Sequence, residues 1–469
     1  MTQTTRRSFL KQSALTAAAI GTVPYFISSE QTTLAQQQRR QAPSDRLRLG
    51  IIGVGQEGRA RARNFNGFTD IVAVNDVDTA HIAAAQEDNN IGRQGTPLAE
   101  YTDYRRILDR DDIDVVIVAT PDHWHTKICI EAMQAGKHVF CEKPLTLTIE
   151  ENQLIRNAGR KYNKVVQIGT QQRSQRDQFA LATLMIRAGL LGRVQRVVCT
   201  LGGGGRSGPL PKAEVPATLD YEQWLGQAPL VEYVASPEMH NEGRTYARAR
   251  QSRVHFEFRW WYEYSGGMFT DWGAHHIDCA MWALNLLDDG VGPTKINPIV
   301  AQHAMPFVDG WPTVDNQYNT SFNYDIACTF DDGPVMHVVS NSPDGNGILF
   351  EGTEGRMHVS RGRIAGRPFE LIRENVRELF PDEEFIKLNN GMPWEGHYRN
   401  FITCIREDGL PMSDLYTHVQ AMNVCHLCAI AARLGREVTW DPVLERTGDT
   451  QSQSFVARHP RRGYEIPRV

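Results

Sequence analysis

The chain has 469 residues, of which 41% are hydrophobic and 22% charged, and its formal net charge is -5. That is enough for a soluble globular protein of two domains with cores of their own. The mild acidity argues against a nucleic-acid partner, which asks for a basic surface. Residues 1–35 read as a twin-arginine signal peptide: Arg6 and Arg7 lead into Ser8-Phe9-Leu10-Lys11, then an uncharged Ala-rich run from Ser13, then small residues at Thr33 and Ala35. This order implies the twin-arginine translocase as a partner during export and a location in the periplasm or beyond. The apolar run is shorter than the roughly 20 residues of a membrane span, and an uncleaved signal acting as an anchor stays open. Arg6, Arg7 and Lys11 against Glu30 give this segment +2, which leaves the mature chain at -7.

Residues 36–46, "QQQRRQAPSDR", are polar and aperiodic and read as a linker. Beyond them, apolar runs at Leu47–Val54, Ile71–Val74, Val115–Ala119, His138–Cys141 and Val165–Ile168 alternate with helical spacing such as Thr126–Ala135 and Ile149–Lys161. Strand alternating with helix predicts a parallel sheet covered on both faces, a dinucleotide-binding Rossmann domain over 47–170. After Gly169 the rhythm changes. A helix over Arg176–Ala188, a strand over Arg193–Leu201 and later strands over Asn319–Phe330, Val335–Ser340 and Ile348–Gly352 predict a second α/β domain over 171–469, built on an open, largely antiparallel sheet. The eight cysteines are scattered through apolar segments, so they read as small buried hydrophobes. Cys425 and Cys428 form a C-x-x-C inside an apolar helix, and core packing is the expectation there too.

Gly53, Gly55 and Gly58 spell G-x-G-x-x-G directly after the first strand. The first glycine permits the tight turn, the second lets the backbone approach a pyrophosphate, and the third lets helix pack on strand. Asp76, at the end of the second strand, suits the adenosine ribose hydroxyls and repels a 2'-phosphate, which favours NAD. Arg59, Arg61 and Arg63 nearby leave NADP open. In such sheets ligands bind beyond the strands' carboxyl ends, which lines up Thr120, Pro121, Glu142, Lys143 and Pro144 along one crevice. Further along, Asp271, His275 and Asp278 fall on one stripe of a helix over Phe269–Leu284, where a carboxylate one turn away can fix the tautomer of His275. No metal is expected, because the stripe lacks cysteine and a third close histidine. A capped helix with buried polar residues is the competing reading.

The Gly-rich turn, "ATPDHWH" (Ala119–His125) and above all "EKP" (Glu142–Pro144) resemble the Gfo/Idh/MocA family of oxidoreductases. The resemblance continues through "QIGTQQRS", "WLG", "GGMFTDWGAHHIDCAMW" and "HYRNF", so it covers about residues 47–440. It implies a Rossmann domain, then an α/β domain whose open sheet forms homodimers or homotetramers, and it implies that Lys143 is catalytic and that Asp271 and His275 flank the substrate. The expected reaction is hydride transfer between a sugar or polyol hydroxyl and NAD: His275 accepts the proton, Lys143 steadies the alkoxide and Asp271 orients His275. His125, Gln171, Arg173 and Trp260 or Trp261 are expected on the substrate side. Two alternatives stay open: redox-assisted glycoside cleavage or epimerisation with transient use of bound NAD, and a non-catalytic sugar or cofactor sensor.

Overall fold

Strands that are buried on both faces are rich in apolar residues, and the central strands of the first half of the chain follow this. In the computed structural model, which describes residues 46–92, 96–240 and 249–469, β1 (Arg48–Ile52) and β4 (Val115–Val118) send alternate side chains to opposite layers. Leu49, Ile51, Val115 and Ile117 face Phe65 and Ala62 of α1 (Gln56–Phe65). Ile52, Val116 and Val118 face Ile128 of α4 (Asp122–Gln134) and Ile155 of α5 (Ile149–Tyr162). Between these lie β2 (Asp70–Asn75), α2 (Thr79–Gln86), β3 (Ala99–Tyr101) and α3 (Arg105–Leu108); β5 (His138–Cys141) and β6 (Val166–Ile168) complete the sheet.

Among the described residues two sheets carry the fold. The first has six strands in the order β3-β2-β1-β4-β5-β6, all parallel. Strand order reverses between β1 and β4, and that switch point opens a crevice at their carboxyl ends. α4 begins at Asp122, four residues ahead of the expected Thr126, because the extended Pro121 serves as its N-cap.

The second sheet has nine strands: β7 (Val194–Thr200), β8 (Lys295–Gln302), β9 (Asn323–Thr329), β10 (Val335–Val339), β11 (Gly347–Gly352), β12 (Gly355–Val359), β13 (Ile364–Ala365), β14 (Val438–Asp441) and β15 (Arg446–Thr447). Their spatial order is β13-β12-β11-β7-β10-β9-β8-β14-β15, antiparallel except where β7 runs parallel to β10. α6 (Leu181–Arg187), α8 (Gly273–Ala283) and α10 (Leu415–Leu434) supply Met185, Ile277 and Val424 to the core shared with Val197, Ile326 and Phe350 of the strands. All eight cysteines are buried free thiols, Cys425 and Cys428 among them. The helix expected over Arg176–Ala188 is π-helical in its first turn, Arg176–Ala180, before α6.

Residues 47–469 form one compact unit, because the second half returns to the first. Phe401 of α9 (His397–Glu407) and Tyr398 stack edge-on against Phe65 at 6.0 and 5.2 Å, and Leu415 and Val419 of α10 join the layer beneath β4 and β5. At the end of the chain Tyr464, Ile466 and Val469 pack on that same layer. The expected signal peptide and most of the linker lie outside the described residues. No described helix is long and apolar enough to cross a membrane.

Candidate active site

The crevice at the switch point widens into a cavity of about 1090 Å³ that runs from the glycine turn to the start of α8. At its near end Gly53 takes φ +84°, and a side chain there would strike the backbone of Ala119 and Thr120 on the neighbouring strand end. A side chain at Gly58 would come within 1.9 Å of the Gly53 carbonyl oxygen, so the first turn of α1 can approach the loop only as glycine. Gly55 differs. A Cβ there would meet only the His81 ring, at 3.6 Å, which leaves its backbone open towards the cavity. Asp76 is fixed from three sides: Oδ2 accepts from Val54 N at 2.9 Å and faces His81 Nδ1 at 3.2 Å, while Oδ1 accepts from Asp78 N at 3.0 Å.

The three arginines that left NADP open are committed elsewhere. Arg59 donates to the Val54 carbonyl, Arg63 to Asp88, and Arg61 to Glu57, Tyr398 and Glu142. The glycine turn, the open backbone at Gly55, the fixed carboxylate of Asp76 and the buried Thr120 Oγ1, which has no hydrogen-bond partner among the described residues, fit a nicotinamide dinucleotide with a free 2'-hydroxyl.

Farther in, Lys143 Nζ donates to Asp271 Oδ1, joining the end of β5 to the short helix α7 (Met268–Asp271). Both side chains keep under a fifth of their surface exposed. Burial acts to raise the Asp271 carboxyl, but Lys143 and Arg259, whose Nε is 3.6 Å away, outweigh it and hold the carboxyl below its ordinary value. The expected single helix breaks at Trp272, which separates α7 from α8. His275 lines the same cavity, and burial, reinforced by the charges of Lys143 and Arg361, pushes its pKa well below 6.5. Gln171 lines the cavity with Nε2 3.5 Å from Glu142 Oε1.

Five expectations are corrected by these contacts. Asp271 orients Lys143 and makes no hydrogen bond to His275, whose Nδ1 has no partner among the described residues. Asp278 does not fix the His275 tautomer, since its two oxygens are taken by Arg173 at 2.6 Å each and by His418 at 3.1 Å. Arg173 is therefore a fully buried strut, also bonded to Met412 O and Thr417 Oγ1, and it does not reach the cavity. Trp260 and Trp261 are core residues. Trp260 lies against Gly205, and Trp261 donates to Ser252 O while stacking under Arg253. His125 lines the cavity, but its two ring nitrogens face the Pro144 and Thr120 carbonyls at 2.6 and 2.8 Å, so it braces the two strand ends that present Lys143.

At this end of the cavity sequence reasoning missed Asp122, Trp272 and Arg361. Asp122 is buried beside Lys143 and Asp271, and burial pushes its carboxyl up to about 7 against the pull of Ser265 and Lys143. Its position straight after Pro121, at a strand end by the switch point, was the available signal. Trp272 is an aromatic of the cavity wall, and Arg361 stacks on it at 4.6 Å. Nothing in the local sequence around Arg361 marks it.

A dinucleotide turn that opens onto a lysine, a carboxylate and a neutral histidine defines a nicotinamide-dependent redox protein of two domains. Residues 47–170 match the oxidoreductase family's NAD-binding Rossmann fold and residues 204–466 match its C-terminal alpha/beta domain, so the chain belongs to the Gfo/Idh/MocA oxidoreductase family. The Glycosyl hydrolase family 109 protein 2 of Shewanella sp. (strain ANA-3) is 38% identical over 158 residues, which is 31% of this chain and 35% of that protein. The Glycosyl hydrolase family 109 protein of Shewanella pealeana is 32% identical over 203 residues, covering 40% and 44%. The chain thus aligns with less than half the length of these curated relatives. Among solved structures, the WlbA dehydrogenase from Bordetella pertussis in complex with NADH and UDP-GlcNAcA has a TM-score of 0.55 at 18% identity, covering 84% of this chain and 97% of that one. Levoglucosan dehydrogenase in complex with NADH and L-sorbose gives 0.56 at 19%, covering 84% and 98%. At such identities these two share the fold.

Proposed function

We propose that the protein transfers a hydride between a secondary alcohol of a sugar or polyol and a retained NAD. The observation that carries this is the convergence of Lys143, Asp271 and His275 in the cavity that begins at the glycine turn. NAD bound at that turn supplies the hydride acceptor. His275, kept neutral by burial and by the charge of Lys143, takes the hydroxyl proton as the alcohol is oxidised. The Lys143 ammonium, oriented by Asp271, donates to the same oxygen and stabilises the charge that develops there. Trp272 offers an apolar wall to the sugar ring.

A second reading fits the names of the curated relatives, which are glycosyl hydrolases. In that reading the same residues oxidise a sugar hydroxyl, a neighbouring C–H is thereby acidified, a glycosidic substituent is eliminated, water adds across the double bond so formed and the hydride is returned to the carbonyl. The net product is then a cleaved glycoside with no change in oxidation state. Product analysis with excess glycoside and a carbonyl acceptor to reoxidise the cofactor separates the two, since only the first accumulates an oxidised sugar.

Export through the twin-arginine route, which carries folded proteins, belongs to the same proposal: the cofactor is loaded before export and kept. Assembly as a dimer or tetramer through the open face of the nine-stranded sheet is part of it too. The test is the NAD content of extensively dialysed protein from the periplasm. About one nicotinamide dinucleotide per chain is expected, with absorbance at about 340 nm rising on addition of a donor sugar and falling with an acceptor. Empty protein whose turnover depends on free NAD would defeat retention.

A further inference from the structure

The glycine turn and Asp76 face residues of the second domain across the cavity, and the second domain is fastened to the Rossmann domain beside them. The turn after β2 is held by backbone hydrogen bonds from both sides: Thr79 N donates to Thr218 O and Asp220 N to Val77 O, each at 2.9 Å. Beside them His255 Nε2 lies 3.3 Å from Asp78 Oδ2, and its ring is tilted 4.9 Å from that of His81. His81 in turn faces Asp76, and the charge of both aspartates raises its pKa despite burial. His255 comes from a segment with a rigid base, because Ser252 O accepts from Trp261 Nε1 and Arg253 is stacked on that indole at 4.1 Å. Its own backbone is left-handed, φ +54°, an uncommon state for a residue with a side chain, and one that aims it at the Asp78 turn.

These contacts all gather at the end of the crevice where a Rossmann domain holds adenosine. We propose that His255 latches this end to Asp78 and that, together with His81, it closes over the adenosine ribose and slows departure of the cofactor between turnovers. The inference rests on the retained-cofactor reading and assigns that retention to named residues. On this reading the dinucleotide leaves when the segment carrying His255 separates from the turn carrying Asp76 and Asp78. The latch therefore acts on the dissociation rate, while Lys143 and His275, at the other end of the cavity, are not its partners.

The experiment is displacement of bound NADH by excess NAD, followed by nicotinamide fluorescence in a stopped-flow instrument, with the full-length protein and its His255→Ala and His255→Gln variants. Loss of a hydrogen bond to a carboxylate predicts release about tenfold faster or more in His255→Ala. His255→Gln keeps a donor at similar reach and should recover part of the effect, which separates a latch from a general loosening. Release from His255→Ala at the wild-type rate overturns the proposal, and so does equal acceleration in both variants. Wild-type retention that collapses on adding a chelator also overturns it, since Asp78, His81 and His255 would then be holding a metal ion. Wild-type release faster than turnover defeats the retention reading alone, because the ratio between wild type and His255→Ala still decides the latch.

Discussion

Lys143 and Asp271 define each other's state. The carboxylate holds the ammonium in place, the ammonium keeps the carboxylate ionised in a buried setting, and the same positive charge adds to burial in keeping His275 neutral. Replacing Lys143 by alanine should therefore have two separable effects. Turnover should fall about a hundred- to a thousandfold, the cost of one preorganised donor at a developing oxyanion. The acid limb of the kcat/KM profile should also move up in pH, because burial and the charge of Arg361 still depress His275 but the repulsion from Lys143 is gone. The base is active above its pKa and lost as pH falls through it, so the wild-type limb should lie below about 6.5. Steady-state rates across pH for both proteins, with NADH affinity measured alongside, check this; an unmoved limb with a normal rate would remove Lys143 from the mechanism.

At the scale of elements, α8 delivers His275 to the cavity and is clamped one turn farther on. Asp278, one turn on, is gripped by Arg173 and His418, and Arg173 ties it to the chain between Met412 and Thr417 at the start of α10. Changing Arg173 to methionine strands a buried carboxylate, which costs about 3–5 kcal/mol when one partner of a buried pair is removed. Denaturant unfolding should register that loss, with a larger fall in kcat than in NADH affinity. The glycine turn, Asp76 and Lys143 were legible in the sequence because parallel strands buried on both faces are unbroken apolar runs, and topology alone puts their carboxyl ends together. Arg173 and Trp260 were not. Which way a polar or aromatic side chain turns depends on the helix packed against it, and α10 lies more than two hundred residues downstream of Arg173. His255 was invisible for the same reason, since its partner Asp78 belongs to the other domain.

The whole molecule carries several histidines that folding keeps neutral. Burial pushes His123, His276, His397 and His426 down to about 3. In the unfolded chain they take up protons near pH 6.5, so each loses stability for the fold as pH drops through the window from about 6.5 to 3. Asp122 and Glu151 work in the opposite sense. Burial raises both to about 7, so their contribution is present below their ordinary values and is lost as pH rises through 7. The histidines outnumber these two carboxyls, and the melting temperature should fall steadily from pH 6.5 to 4.5. Calorimetric melts that hold level or rise over that range would contradict the assignment.

The return of the last segments to the first sheet also governs the order in which the protein is made. Phe401, Leu415 and Val419, and then Tyr464, Ile466 and Val469, close layers that β1, β4 and β5 begin. Chains emerge from the ribosome amino end first. The Rossmann half should therefore keep apolar surface uncovered until residues 397–469 have emerged, and the Lys127 ammonium gains the Glu465 carbonyl only then. Synthesis, cofactor capture and completion of the core are bound into one sequence of events, so a ribosome-stalled chain ending before residue 397 should leave the NAD site unfinished although every residue of the glycine turn has been made.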